Sequence, residues 1–122
     1  MDHNTSVSVL KEKVTKFRDE RNWLKFHNPK DLSIALSIEA AELQELFLWK
    51  DEQSSKRVRK DTKRMERIEE EMADIGIYLL SLADVLDVDL SEALIRKLAQ
   101  NALKYPIVKS KGSSKKYNEL QA

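Results

Sequence analysis

Apolar residues recur along this chain at intervals of three, four and seven, the spacing of helices that bury one face. In the first such segment, from about residue 6 to 23, Val7, Leu10, Val14, Phe17 and then Leu24 form the stripe. A second begins at Asn28-Pro29, an N-cap followed by a first-turn proline, with Asp31 in the electropositive first turn, and runs to about Lys50. A third, capped by Ser54 or Ser55, continues to about Leu86, and its length of roughly 30 residues is large for a globular helix. Asp89-Leu-Ser-Glu92 has the form of a capping box and opens a fourth helix, which reaches about Lys104 and stops before Pro106. No strand pattern competes. The expected fold is all-α, a four-helix bundle-like subunit spanning residues 1–106, followed by a basic C-terminal tail at 107–122.

Composition supports that pattern. The chain has 122 residues, room for a single domain. Its two Gly and two Pro leave few turn-makers for a many-stranded fold, and the lack of Cys excludes disulfides, thiolate metal sites and cysteine nucleophiles. The first residues lack the basic and apolar regions of a signal peptide, and no stretch reaches the ~18 apolar residues of a membrane span. A cytoplasmic protein without a membrane partner is expected. A formal net charge of +1 argues against wholesale nucleic-acid binding. The charges are unevenly placed, however. Residues 56–67 hold seven Lys or Arg against Asp61 and Glu66, and the tail holds four Lys against Glu119.

Four acids stand where a solvated helix would not put them. With Glu39 at zero and about 100° per residue, Leu32, Leu36, Leu43 and Leu46 fall within about 60° of it. Glu39 therefore lies in the middle of the core-facing stripe, with Glu42 at its edge. Around Glu71, by the same wheel, Ile68, Ile75, Tyr78, Leu82 and Val85 lie within about 60°, and Asp74 takes the edge. An unpaired buried carboxylate costs several kcal/mol, so four of them would consume the ~5–15 kcal/mol stability of a domain. Something positive must sit among them. Arg67 and Arg64, one and two turns before Glu71, could supply it as a core Arg–Glu network. The other solution is a hard divalent cation, Mg²⁺ or Mn²⁺, which takes oxygen ligands. A di-iron centre would need Glu-x-x-His pairs, and His3 and His27 are not so spaced. On the fourth helix Asn101 lies within an apolar stripe edged by Lys97 and Lys104, a face suited to an anionic, hydrogen-bonding ligand.

Glu39-Ala-Ala-Glu42 and Glu71-Met-Ala-Asp74 are separated by 28 residues. With their flanks, Arg21-Asn-Trp-Leu-Lys-Phe-His27, Glu45-Leu-Phe-Leu-Trp-Lys50, Ile75-Gly-Ile-Tyr78, Lys97 with Asn101, and Lys104-Tyr-Pro106, they resemble the all-α nucleoside triphosphate pyrophosphohydrolases. This is the MazG-like group that includes the dCTP pyrophosphatases. The resemblance covers roughly residues 7 to 117. It implies Mg²⁺-dependent cleavage of a (d)NTP, dCTP or a related dNTP, to a monophosphate and pyrophosphate, as nucleotide-pool house-cleaning. By the same resemblance Glu39, Glu42, Glu71 and Asp74 hold the metal. Lys97 and Lys104 face the phosphates, while Trp23, His27, Trp49, Tyr78 and Asn101 surround the nucleoside. Glu45 is a further candidate for activating water, although its wheel position also suits a solvent-facing role. In a longer form of the signature a Glu directly precedes a ligand glutamate; Ile38 stands there, so that position is given no ligand.

The backs of the second and third helices are also apolar or small, at Ile34, Ala41 and Leu48 and at Ala73, Gly76, Leu80 and Ala83. A helix apolar on two faces needs partners on both, so a homo-oligomer is expected, and the resemblance makes it a dimer or a dimer-of-dimers tetramer. The competing reading is a non-catalytic helical adaptor that binds a partner protein or nucleic acid through its basic segments. An adaptor has no reason to centre acids in two apolar stripes.

Overall fold

The computed structural model describes residues 1–120, and among these every regular element is helical. Helix α1 spans Val7–Glu20, α2 Pro29–Glu45, α3 Glu52–Lys56, α4 Thr62–Val85, α5 Leu90–Lys104, α6 Ile107–Ser110 and α7 Tyr117–Leu120. Short 3₁₀ turns at Leu24–Phe26 and Val58–Lys60 join α1 to α2 and α3 to α4. The chain divides into two compact units, Met1–Val88 and Asp89–Ala122. The boundary expected at residue 106 thus falls inside the second unit. Among the described residues no helix is long and apolar enough to cross a membrane.

Local chemistry sets most helix starts where the sequence indicates. The Val9 N–H donates to Ser6 Oγ at 3.1 Å, Asp31 N–H to Asn28 Oδ1 at 2.9 Å and Glu92 N–H to Asp89 Oδ1 at 2.9 Å. Each such cap satisfies one of the amide groups that a helix start leaves without a partner. Two expectations fail. Helix α2 ends at Glu45 rather than near Lys50, with Trp49 turned to a φ of 61°. The long third helix is broken by a second start: Asp51 caps α3 and extended Asp61 caps α4 through Arg64 N–H at 3.1 Å, so neither Ser54 nor Ser55 is a cap. Asp competes for backbone donors strongly enough to interrupt a segment whose periodicity alone would continue. The stretch expected to be a flexible tail carries α6 and α7, each of four residues.

In the first unit α4 is the central element, packed against α2 and α1. Arg64 Nε on α4 donates to the Leu46 carbonyl at 2.8 Å, while Glu71, seven residues later, lies beside Glu39, seven residues earlier. The two helices therefore run antiparallel. Few apolar side chains are buried: Leu32, Leu46, Ile68 and Ala83 among the described residues. Buried Arg18 ties α1 to α4, with Nη1 at 2.7 Å from Asp84 Oδ2 and Nε at 2.8 Å from Asp19 Oδ1. The sequence reading did not select this pair.

Candidate active site

The antiparallel register brings both Glu-x-x-acid pairs to one level of the α2–α4 seam. One carboxylate oxygen from each of Glu39, Glu42 and Glu71 lies within 4.8 Å of the others. Oε2 of Glu39 and Oε2 of Glu71 are buried and have no hydrogen-bond partner. Half-buried Asp74 falls outside this closest group, yet its charge reaches both Glu39 and Glu71. Among the described residues no Lys or Arg pairs with any of the four. The core Arg–Glu network is therefore absent from these residues. Arg64 is engaged elsewhere, through Leu46 O, through Ser54 Oγ at 3.2 Å and over the Phe47 ring at 4.8 Å, and Arg67 is exposed.

Like charges this close cannot all ionise freely. Burial, followed by hydrogen bonding to Glu71 and Glu42 and the charges of Glu42 and Asp74, pushes the Glu39 carboxyl up to about 7. At Glu71 the hydrogen bond with Glu39 acts downward, but burial and the charges of Glu42 and Asp74 outweigh it, and the shift is upward. The cluster titrates as a unit. Oxygen-only donors, crowded negative charge and two orphaned buried oxygens are the requirements of a hard divalent cation, and the residues present fit one.

The remaining predicted residues are dispersed. Glu45 ends α2 and is exposed. Tyr78 lies half-buried on α4, two turns beyond Glu71. Trp23 stands just before the first 3₁₀ turn, edge-on to Phe17 with ring centroids 5.8 Å apart, a contact that also suits a purely local packing role. His27 closes that turn with a buried Nδ1 that has no partner; burial, then the charge of Arg18, lower its pKa and favour the neutral ring. Trp49 is 93% exposed in a left-handed conformation, strained for so bulky a residue. Lys97, Asn101 and Lys104 all lie on α5, in the second unit, with the Lys104 ammonium 5.1 Å from the Tyr117 ring centre. The structure thus gathers three of the four expected ligands, keeps Asp74 at electrostatic range, and assigns the two lysines to a separate unit. It also singles out Arg18 and Arg64. Arg18 could have been found in sequence, since it lies four residues beyond Val14 on the α1 stripe.

A sequence profile of the MazG-like family matches residues 34–120, which include both carboxylate pairs. The chain belongs to the MazG-like family. This MazG-like chain is 40% identical over 104 residues to dCTP pyrophosphatase 1 of Mus musculus, a match covering 85% of the chain and 61% of that relative. Against the Homo sapiens protein of the same name the identity is 38%, with the same two coverages. The chain thus spans 61% of the length of these relatives. A crystal structure of a pyrophosphatase from Archaeoglobus fulgidus is similar to the MazG-like chain at a TM-score of 0.73 and 44% identity, covering 80% of this chain and 89% of that one.

Proposed function

We propose that this protein is a divalent-metal-dependent nucleoside triphosphate pyrophosphohydrolase, removing dCTP or a related dNTP from the cytoplasmic nucleotide pool. The carrying observation is the convergence of Glu39, Glu42 and Glu71 within 4.8 Å, two of them with buried, unpartnered oxygens. In this reading residues 1–106 form the nucleotide-handling domain, and Glu39, Glu42, Glu71 and Asp74 hold Mg²⁺, with Mn²⁺ as a substitute. When bound, the ion neutralises phosphate charge and acidifies a water molecule. The carboxylates fix the site where the α-phosphate is presented. Water adds to the α-phosphorus, the bond to the α,β-bridging oxygen breaks, and pyrophosphate leaves with that oxygen and its electron pair. Glu45, exposed one turn beyond Glu42, takes the proton released by the water. Trp23, His27, Trp49 and Tyr78 surround the nucleoside, their rings offering faces on which any base can stack.

A second copy of this chain completes the subunit, as a dimer or tetramer. Four buried apolar side chains among the described residues are few for a domain of this size, while Ile34, Ile38 and Leu48 stay exposed near or on α2. A groove of about 620 Å³ between α1 and α4, lined by Leu10, Val14, Met72, Gly76, Ile77 and Leu80, offers the complementary surface. Sedimentation showing a monomer at micromolar concentration would remove this part of the reading.

The test of the activity is product analysis. Each dNTP is incubated with the protein and Mg²⁺, and monophosphate plus pyrophosphate is expected from at least one. Turnover of none, or turnover unaffected by Glu71→Gln, refutes the assignment.

A further inference from the structure

Just past the end of α2 the chain reverses at Phe47–Lys50. The Lys50 N–H donates to the Phe47 carbonyl at 3.1 Å and closes a turn whose third residue, Trp49, has a φ of 61°. That position suits Gly, and a bulky side chain there is strained. Such strain persists only where the surroundings over-determine the backbone. The Trp49 side chain cannot supply the restraint, because it stands almost wholly in solvent.

Buried Leu46 anchors the near side of the turn. The far side is held from α4 by a single side chain. Among the described residues, the hydrogen bonds between α4 and residues 46–55 are both made by Arg64: Nε donates to the Leu46 carbonyl at 2.8 Å and Nη1 to Ser54 Oγ at 3.2 Å. The same guanidinium lies 4.8 Å from the ring centre of Phe47, the first residue of the turn. Its backbone N–H donates to Asp61 Oδ1 at 3.1 Å, which fixes where the side chain leaves α4. A planar fork can hold a carbonyl, a hydroxyl and a ring face at once, whereas an ammonium cannot. Side-chain packing contributes little here, since recesses of about 440 and 620 Å³ both border Arg64. Nη2 is buried without a partner, a donor lost to water while the other contacts are kept.

We infer that Arg64 is a positioning residue of the substrate site: it clamps the turn that displays Trp49, and through that turn it sets how firmly a base is held. The inference rests on the proposed function, which gives Trp49 to the nucleoside, and deepens it. Base affinity then has a determinant on α4 that never touches the nucleotide. Affinity and catalysis also become separable, because Glu39 and Glu42 lie in the body of α2 and keep their places when the clamp is lost.

Hydrogen exchange and steady-state kinetics on the full chain test it together. In Arg64→Gln the amides of Phe47, Leu48 and Lys50 should exchange about tenfold faster, with those around Glu71 unchanged. KM for the nucleotide should rise about fivefold while kcat stays within about twofold of wild type. A merely structural tie would lower Tm without separating the two constants. In a Trp49→Ala chain, adding Arg64→Gln should move KM by less than about twofold, because the clamp has no indole left to display. Arg64→Lys keeps a charged donor for the Leu46 carbonyl but lacks the fork. It should fold as the wild type does and still raise KM, a second readout should Arg64→Gln not fold. Unchanged exchange at the three amides, an unchanged KM in both Arg64 variants, or an equal rise in KM with and without Trp49 would each overturn the inference. Wild-type protein that hydrolyses no dNTP, with exchange still faster in Arg64→Gln, would refute the hydrolase reading and retain the hold of Arg64 on the turn.

Discussion

Metal ions and protons should compete at the carboxylate cluster, and the competition can be counted. Glu39 is pushed up to about 7, whereas a cation needs its ionised form. Metal binding must then displace about half a proton at pH 7, about 0.9 at pH 6 and about 0.1 at pH 8. The apparent affinity for Mg²⁺ should fall about tenfold between pH 8 and pH 6. Isothermal titration in two buffers of different ionisation enthalpy measures the released protons directly, and Glu39→Gln should remove most of them. The stability consequence has a definite sign. A folded-state pKa raised above the ordinary 4.5 means that the protonated carboxyl stabilises the metal-free fold. That contribution is fully present below about pH 4.5 and is lost as pH rises through about 7. Bound Mg²⁺ replaces it, so the Mg²⁺-induced rise in Tm should be larger at pH 8 than at pH 6. At a hundredfold excess over Kd the stabilisation is about 2.7 kcal/mol, or about 10 °C for a chain of this length. Mg²⁺ binding that releases no proton at pH 6, or an affinity constant within twofold from pH 6 to 8, would refute the reasoning.

Glu71→Gln should lower kcat at least a hundredfold in steady-state assays while circular dichroism shows an unchanged helix content. Arg18→Met removes a buried guanidinium hydrogen-bonded to Asp84, whose side chain keeps 34% of its area in solvent. The expected loss is about 2 kcal/mol, below the usual cost of breaking a fully buried pair, and it lowers Tm by about 8 °C in calorimetry. Adding Asp84→Asn should recover part of that loss. At Trp49 the left-handed backbone favours Gly by about 1 kcal/mol, so Trp49→Gly should hold or raise Tm. The same variant should raise KM for the nucleotide about tenfold, and an unchanged KM would remove Trp49 from the base site.

Features carried by helical period or by local capping could be read from the chain alone. Glu39 and Glu71 stood out because a helix wheel centres them among leucines and isoleucines, and the structure brings those stripes together. Asn28 and Asp89 stood out because their side chains reach amides only three residues away. The break before α4 was hidden, since residues 54–61 satisfy helical spacing and only the competing cap of Asp61 reveals the stop. The Arg18–Asp84 pair was hidden for a different reason: its members lie 66 residues apart, and which helix faces which is set by packing, not by period. Arg64 is hidden in the same way: its run of basic residues gives no sign that its guanidinium crosses to the Leu46 carbonyl.

The carboxylate cluster has a topological consequence. Glu42 and Glu71 bracket 28 residues that contain the α2 end, α3, the second 3₁₀ turn and the start of α4. In the proposed reading an ion held by both helices would tie the two ends of this segment together. It would stabilise by mass action, through its preference for the folded arrangement over the unfolded chain. Unlike a disulfide the link is reversible. In the proposed reading, Trp49 and the cations of residues 50–67 belong to a loop whose ends are already held by the α2–α4 packing and the Arg64–Leu46 bond, and a bound cation would add a reversible tie to them.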